Sequence, residues 1–209
     1  MTEHAFETLS SETLFVGKIF ALRRDEVAMP GGGSARREIL EHFGAVAVVA
    51  LDDDGQLVLV YQYRHALGRR LWELPAGLLD FDGEAPALTA ARELEEEAGL
   101  RAQRWQVLVD ADSTPGFTDE SVRIYLATGL TEVGRPPGHD EEADLVVRRF
   151  PLAEAVAMVF DGRIVNALAV AGILAAHAVS TGAATPREPD APWLDRPHRL
   201  ADRLREQRR

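Results

Sequence analysis

Apolar and polar residues alternate over the first part of the chain, from about residue 10 to residue 42. The alternation breaks at the turn sequence Pro30–Gly33 and then resumes. A period of two is typical of strands with one buried face, and a Gly-rich break is typical of a turn. The pattern therefore predicts a small antiparallel sheet, which we interpret as an accessory arm.

Two β-rich runs, Gly44–Leu51 and Gln56–Tyr63, follow the arm. Between them lies Asp52–Gly55, a polar sequence that ends in glycine and is typical of hairpin turns. We therefore expect the two runs to pair as a hairpin and to begin the main sheet.

Helical spacing of the apolar residues begins after Pro86, a residue that suits the first turn of a helix. The positions with this spacing are Leu88, Ala91, Leu94 and Ala98. Gly99 suits the left-handed residue that commonly ends a helix. The sequence predicts a helix between Pro86 and Gly99 with one face in the core.

The rest of the chain mixes strands and helices without a regular repeat. Strands are predicted at Trp105–Val109, Ser121–Thr128 and Leu145–Phe150, and helices at Leu152–Phe160 and Asn166–Val179. We expect an α+β fold in which a mixed sheet carries helices on its faces. The expected domains are the arm at 1–42, a main domain at 43–182 and a tail at 183–209, either a surface tail or a short docking helix.

The composition is that of a soluble globular protein, with 46% hydrophobic and 27% charged residues. The absence of cysteine excludes disulfides, thiolate metal sites and a thiol nucleophile. A net charge of −11 disfavours binding to nucleic acid or to an anionic membrane. The longest apolar run, Ala167–Val179, is too short for a membrane span, and the N-terminus lacks the order of a signal peptide, so we expect a cytoplasmic protein.

Several carboxylates stand at the end of the predicted helix, where they oppose helix stability. Glu95, Glu96 and Glu97 lie where the helix dipole favours cations, and Glu93 and Glu97 are like charges four residues apart. Each unfavourable placement costs about 0.3–1 kcal/mol. Residues i and i+4 share a face, so a divalent cation bound by both carboxylates would offset the repulsion. A solvated acidic surface is the alternative interpretation.

The residues around this helix match a longer pattern, Gly-x5-Glu-x7-Arg-Glu-U-x-Glu-Glu-x-Gly-U, where U is aliphatic. The matching positions from the first glutamate onward are Glu84, Arg92, Glu93, Leu94, Glu96, Glu97, Gly99 and Leu100. One departure is an extra residue in the loop, because six residues instead of five separate Gly77 from Glu84. The segment resembles the Nudix box, the signature of the Nudix hydrolase superfamily.

Beyond the box, the similarity narrows to one subfamily, the ADP-ribose pyrophosphatases, above all those of actinobacteria. Pro115 lies sixteen residues after Gly99, where that subfamily has a marker proline, and Leu71–Gly77 and Pro115–Glu120 are also similar. The resemblance covers about residues 5 to 182. It implies a Nudix α/β/α sandwich with an N-terminal arm, and hydrolysis of ADP-ribose to AMP and ribose 5-phosphate.

The resemblance also implies roles for particular residues. Glu93, Glu97 and the backbone carbonyl of Ala76 correspond to ligands of Mg²⁺ or Mn²⁺, with Glu96 beside them as a catalytic carboxylate. Arg92 corresponds to a residue that pairs with a box carboxylate. The substrate-binding positions that carry over are Arg37, Arg64, Leu78, Glu120 and Glu73.

The catalytic base is expected outside the box, in the polar loop Gly134–Asp144. Related enzymes have a glutamate there that deprotonates the attacking water, and Glu142 is the best match. Glu141 and His139 are the alternatives that the loop itself offers.

The resemblance implies a homodimer in which the arm of one subunit reaches the site of the other, with Ile19 and Phe20 helping to enclose adenine. Three alternatives stay open at this stage: hydrolysis of another nucleoside diphosphate derivative such as a nucleotide sugar or NADH, a noncatalytic ADP-ribose sensor, and a structural metal-binding module. The intact box glutamates argue against the sensor, as do the 27 residues after Gly182, too few for a DNA-binding domain.

Overall fold

The computed structural model describes residues 4–136 and 144–207. Its strands are β1 (Thr8–Val16), β2 (Phe20–Ala28), β3 (Ser34–His42), β4 (Ala45–Ala50), β5 (Gln56–Arg64), β6 (Arg69–Glu73), β7 (Ala76–Leu78), β8 (Leu100–Asp112), β9 (Ser121–Glu132) and β10 (Val146–Pro151). Its α-helices are α1 (Pro86–Ala98), α2 (Leu152–Phe160), α3 (Ala167–Ser180) and α4 (Arg199–Gln207).

The chain divides into two compact units. The arm unit contains the described residues up to Gly44, the segment Asp112–Ser121 and the described residues from Asp195 onward. The main unit contains Ala45–Ala111 and the described residues from Val122 to Leu194. The domain bounds drawn from the sequence, 1–42, 43–182 and 183–209, stay predictions.

The arm unit is built on an antiparallel sheet in the order β1-β2-β3, as the alternating pattern predicted. The segment before β9 joins the free edge of β3, where the amide of Leu40 donates to the carbonyl of Phe117 at 2.8 Å. Helix α4 packs on the same sheet through Leu200, which is fully buried with Ala21 and Phe43. The end of the chain is thus a docked helix that contributes to a small core.

Ion pairs also bind α4 to the arm sheet. Arg203 donates to both oxygens of the buried Glu41 carboxylate, at 2.8 and 3.0 Å. Arg23 lies 2.9 Å from the same carboxylate, so one buried acid is shared by two guanidinium groups. Burial, followed by the repulsion of Arg199, lowers the pKa of Arg23.

The main unit has two sheets, in the orders β10-β5-β6 and β7-β4-β9-β8. In the second sheet β4 is antiparallel to β7 and parallel to β9, so this sheet is mixed, as expected. Every side chain of β4 is buried, and successive residues enter two different clusters. Val49 packs with α2 and α3 residues, while Val48 packs with α1 residues such as Leu94. Helices therefore cover both faces, which confirms the predicted α/β/α arrangement.

The predicted hairpin between β4 and β5 is wrong, although its turn is present. The amide of Gly55 donates to the carbonyl of Asp52 at 3.0 Å, but the only pairing between the two runs is a single bridge from Leu51 to Leu57. The edges of β4 are instead occupied by β7 and β9, and those of β5 by β6 and β10, so the two strands belong to different sheets. The sequence pattern also missed β6 and β7, two short strands on either side of Pro75.

The other predicted elements are confirmed, with changes at their ends. Helix α2 has the predicted bounds, and α3 is capped by Asn166, whose side chain accepts a hydrogen bond from the amide of Ala169 at 3.0 Å. Strand β8 is longer than predicted, and its residue Val107 pairs with Arg187 from the following tail segment. Within the described residues, no helix is long and apolar enough to cross a membrane.

Candidate active site

The C-terminal end of helix α1, at Gly99, lies directly against the backbone of Arg135. Gly99 ends the helix with φ +66°, and its amide donates to the carbonyl of Glu95 at 2.9 Å. A Cβ atom at this position would lie 2.6 Å from the amide nitrogen of Arg135, so only glycine allows this close approach. The glycine therefore lets a second segment of backbone lie against the end of the helix.

Arg135 supplies the positive charge that the last turn of α1 lacks, since that turn contains no basic residue. Its Nε donates to the carbonyl of Glu96 at 3.3 Å, and its Nη1 donates to the carbonyl of Leu145 at 3.0 Å. A guanidinium at the carboxyl end of a helix is favourable because the last carbonyls carry partial negative charge. Sequence reasoning missed this residue.

Glu93 and Glu97 approach two neighbouring residues of strand β7, as their shared helix face predicted. The amide of Ala76 donates to the Oε2 atom of Glu97 at 2.9 Å, and Glu97 is buried. Gly77 leaves space for the other carboxylate, because a Cβ atom there would lie only 2.1 Å from the Cδ atom of Glu93. Pairing of Gly77 with Val46 holds this backbone in the mixed sheet. The box glycine thus allows a carboxylate to lie directly against the strand.

Arg92 is surrounded by carboxylates of the box. Its Nη1 lies 2.7 Å from Glu93 and 3.0 Å from Glu96, and its Nη2 lies 3.4 Å from Glu84. Its guanidinium also stands 4.7 Å from the ring centre of Phe81. Burial opposes the charge, but the attraction of Glu93 and the hydrogen bond to Glu84 raise the pKa of Arg92 overall. The arginine is thus fixed as a cation among these carboxylates.

The extra residue in the loop before α1 does not remove Glu84 from this network. The hydroxyl of Thr89 donates to the Glu84 carboxylate at 2.8 Å, and Glu84 also contacts Arg92. The loop turns at Gly83, with φ +79°, which places Phe81 over the Arg92 guanidinium. The longer loop is therefore compatible with the box contacts.

The residues at β7 and α1 fit a hard divalent cation. Carboxylate and carbonyl oxygens are the donors that Mg²⁺ and Mn²⁺ prefer. The close approach of Glu93 to Gly77 and of Glu97 to Ala76 places two such carboxylates beside one backbone segment. Over residues 4–136 and 144–207, no group of three acidic or histidine side chains is arranged to hold a metal. The Ala76 carbonyl, which the resemblance implies as a ligand, belongs to the same backbone segment of β7.

Arg64 and Glu73 form an ion pair at the end of β5. Arg64 donates through Nε at 3.0 Å and through Nη2 at 2.6 Å to the two oxygens of Glu73. The side-chain amide of Gln62 donates through Nε2 to the same carboxylate at 3.1 Å. Glu73 is buried with a side-chain exposure of 3%, whereas the Arg64 side chain is 44% exposed. The arginine thus presents part of its guanidinium to solvent while a buried carboxylate holds it.

The other predicted substrate residues are distributed over both units. Leu78 is half-buried on β7 of the main unit. In the arm unit, Arg37 lies on β3 and donates to the carbonyl of Arg36 at 2.9 Å. Glu120 accepts a hydrogen bond from Ser113. Their roles in substrate binding stay predictions.

The predicted catalytic base lies in the part of the loop for which no placement is described. Glu142 and its two alternatives, Glu141 and His139, all fall within residues 137–143 and lie outside the described residues. Arg70 contacts Asp144, the residue directly after that segment. The role of Glu142 therefore stays a prediction.

Sequence comparison relates the chain to known proteins. The NUDIX domain family matches residues 35–168. The chain is 65% identical over 206 residues to the ADP-ribose pyrophosphatase of Mycobacterium tuberculosis, covering 99% of this chain and 100% of that protein. It is 39% identical over 153 residues to the ADP-ribose pyrophosphatase of Bacillus subtilis, covering 73% and 82%.

Comparison of structures gives a consistent fold. A crystal structure described as an ADP compounds hydrolase aligns with a TM-score of 0.75 and 22% sequence identity. The alignment covers 88% of this chain and 98% of that one. At this identity the similarity establishes the fold alone.

Proposed function

This chain belongs to the NUDIX domain family, and from that premise we propose that it is an ADP-ribose pyrophosphatase. The reaction adds water across the diphosphate of ADP-ribose, so that one P–O bond forms and one P–O bond breaks. The products are AMP and ribose 5-phosphate. The identity of 65% to an enzyme named for this activity, over nearly the full length of both chains, supports the choice of substrate.

The observation that carries the proposal is the approach of two helix carboxylates to one strand. Glu93 lies against Gly77, and Glu97 accepts a hydrogen bond from the amide of Ala76. We assign Glu93, Glu97 and the Ala76 carbonyl as ligands of Mg²⁺, with Mn²⁺ as the substitute. When bound, the cation would offset the charge of the diphosphate and lower the pKa of a water molecule.

The other residues of the proposed site bind the substrate and move protons. Arg64 contacts the diphosphate, for which a partly exposed guanidinium is well suited. Glu142 removes a proton from the attacking water, and Glu96 assists from the box helix. Arg37, Leu78 and Glu120 are assigned to the adenosine and ribose parts of the substrate.

We also propose that the protein acts as a cytoplasmic homodimer through its arm, with the arm of each subunit reaching the site of the other. Apolar side chains on the arm support this, because Leu9, Phe15 and Ile19 are each at least 50% exposed. Exposed apolar side chains commonly mark an interface where they form one contiguous patch. Sedimentation at micromolar concentration is expected to give a dimer, and a monomer would contradict this part of the proposal.

The proposal is tested by measuring AMP release from ADP-ribose with and without Mg²⁺. Replacing Glu93 or Glu97 by glutamine is expected to lower kcat/KM by at least about 100-fold, because charge stabilisation by a metal is worth several kcal/mol and each tenfold change in rate corresponds to about 1.4 kcal/mol. Glu95→Gln is the matched control, because Glu95 lies on the same helix and pairs with Arg101 instead.

Two results would reject the proposal. One is the absence of ADP-ribose hydrolysis by the wild-type protein with either metal. The other is full activity of the Glu93→Gln variant. A parallel panel with a nucleotide sugar and NADH separates ADP-ribose from the other substrates that the family accepts, and binding of ADP-ribose without turnover would indicate a sensor.

A further inference from the structure

Gln62, Arg64 and Glu73 form a continuous hydrogen-bonded group across strands β5 and β6. Gln62 and Arg64 are two residues apart on β5 and therefore project from the same face of the strand. Glu73 lies opposite Val60, the preceding residue of that face, in the register of the pair. The two donors thus reach one carboxylate from the same side.

Burial makes this carboxylate dependent on its donors. The Glu73 side chain is 3% exposed, and Gln62 is buried. A buried carboxylate is destabilised by loss of hydration unless nearby groups donate hydrogen bonds to it. The Gln62 amide supplies one such bond at 3.1 Å, and Arg64 supplies the others. The direction of the carboxylate is therefore fixed by a neutral donor as well as by its charged partner.

The same carboxylate is linked to the box helix by a short, well-anchored segment. Glu73 is followed by Leu74, Pro75 and Ala76, and a chain of three residues spans at most about 10 Å. The carbonyl of Pro75 accepts from Val48 at 2.8 Å, and the amide of Ala76 donates to Glu97 at 2.9 Å. Glu73, which holds Arg64, is thus kept at a fixed distance along the backbone from the proposed metal ligands.

We propose that Gln62 and Glu73 are positioning residues that act on the substrate through Arg64. Gln62 fixes the Glu73 carboxylate, and Glu73 holds the Arg64 guanidinium in one orientation toward the diphosphate. This inference rests on the proposed function, because it takes Arg64 as a substrate contact. It gives Glu73, which the sequence placed among the substrate-binding residues, an indirect role.

The first test replaces Gln62 by leucine, which has similar size and no donor. We expect KM for ADP-ribose to rise about tenfold while kcat stays within about twofold, because orientation of a binding group affects substrate and transition state alike. A tenfold change corresponds to about 1.4 kcal/mol, close to the lower value for a hydrogen bond to a charged group. Gln103→Leu, at an exposed glutamine of β8, is the control and is expected to leave KM unchanged.

A double-mutant comparison separates positioning from general damage to the fold. Arg64→Met is expected to raise KM more than Gln62→Leu does. Adding Gln62→Leu to Arg64→Met is then expected to raise KM no further, because Gln62 acts only through Arg64. Independent, multiplying effects would overturn the proposal.

Gln62→Glu provides a readout that depends on pH. The introduced carboxyl lies beside Glu73 and can donate a hydrogen bond only when protonated. KM of this variant is therefore expected to fall toward the wild-type value as the pH is lowered, whereas KM of Gln62→Leu is not. Equal pH profiles of the two variants would contradict the proposed donor role.

A measurement without substrate keeps the inference separate from the proposed function. In the ligand-free protein, hydrogen exchange of the Arg64 Nε–H group, observed by NMR, is expected to be faster in Gln62→Leu than in wild type. Unchanged exchange would overturn the positioning role, whether or not ADP-ribose is the substrate. Faster exchange in a protein that fails to hydrolyse ADP-ribose would refute the proposed function and leave the hydrogen-bonded group confirmed.

Discussion

Substitution of Gly77 by alanine tests the proposed site with the smallest possible change. The added Cβ atom would lie 2.1 Å from both Cδ and Oε1 of Glu93 and 2.4 Å from its Cγ. Real Cβ atoms essentially never lie within 3.0 Å of another heavy atom, so the carboxylate or the strand must move by about 0.9 Å or more. A displacement of about 1 Å in a catalytic group lowers a rate by about 100-fold.

The expected results for Gly77→Ala are therefore a loss of about 100-fold in kcat/KM for ADP-ribose and weaker binding of Mg²⁺ in calorimetry. Stability should fall by about 1–3 kcal/mol, the usual cost of overpacking, as measured by urea unfolding. The double variant Gly77→Ala with Glu93→Asp separates strained packing from displacement of the proposed metal ligand. The shorter aspartate side chain withdraws the carboxylate by one methylene and so relieves the overlap. It should restore most of the stability but not the activity.

Full activity and unchanged Mg²⁺ affinity in Gly77→Ala would refute the reasoning. Such a result would mean that the Glu93 carboxylate does not need its place against the strand. If Gly77→Ala loses its activity because it unfolds completely, the loss is attributed to packing. The double variant then tests the site itself, because Glu93→Asp removes the overlap and still leaves a carboxylate at position 93.

Three further predictions concern stability. Replacement of Arg135 by methionine removes its bonds to the carbonyl of Glu96 at the end of α1 and to the carbonyl of Leu145, and urea unfolding should show a loss of about 1–2 kcal/mol; no loss would mean that water replaces the guanidinium without cost. Replacement of the fully buried Leu200 by alanine should cost about 2–5 kcal/mol and increase hydrogen exchange in the arm sheet, whereas unchanged exchange would show that α4 contributes little. Burial raises the pKa of Asp119, so its contribution to stability is present below the ordinary value of 3.8 and is lost as the pH rises through the raised value. Asp119→Asn should therefore gain stability relative to wild type as the pH rises above 3.8, and parallel pH curves would contradict this.

Much of the fold was predictable because the periodicity was strong and local. The two-residue alternation of the arm predicted its strands, and the helical spacing around Leu94 predicted a helix; the structure confirms both elements. The predicted faces are confirmed only in part, because Leu94 is buried whereas Leu88 is 62% exposed and β1 is exposed along almost its whole length. The separation of β4 and β5 into different sheets was not predictable in this way. A strand such as β4, buried on both faces, has no alternation to indicate its neighbours, and its partners β7 and β9 are distant in sequence.

The candidate site was likewise predictable only where its residues follow a sequence pattern. Box spacing placed Glu93 and Glu97 on one face, and the structure brings both to β7. Arg135 and Gln62 escaped detection because they act through hydrogen bonds to a carbonyl and to a buried carboxylate, which leave no spacing in the sequence. Their importance depends on burial and on distances in the folded chain.

The carboxylates at the acidic end of α1 differ in their partners. Glu95 pairs with Arg101, and this hydrogen bond lowers the pKa of Glu95, so that carboxylate needs no metal. Glu96, in contact with Arg92, has a side-chain exposure of 43% and remains close to solvent. Arginine partners thus account for Glu95 and Glu96 without a metal, and the sequence argument for a cation applies to fewer of these carboxylates than their crowding suggested.

What remains is the pair that faces β7. Glu97 is buried and receives the Ala76 amide, while Glu93 shares the Arg92 guanidinium with Glu96. A divalent cation at this pair must therefore compete with Arg92 for Glu93. Replacement of Arg92 by an uncharged residue then has two opposing effects on metal affinity, because it removes a competing cation and also removes the group that orients the carboxylate. The proposed structural role of Arg92 requires the second effect to dominate, so that Arg92→Gln binds Mg²⁺ more weakly than wild type.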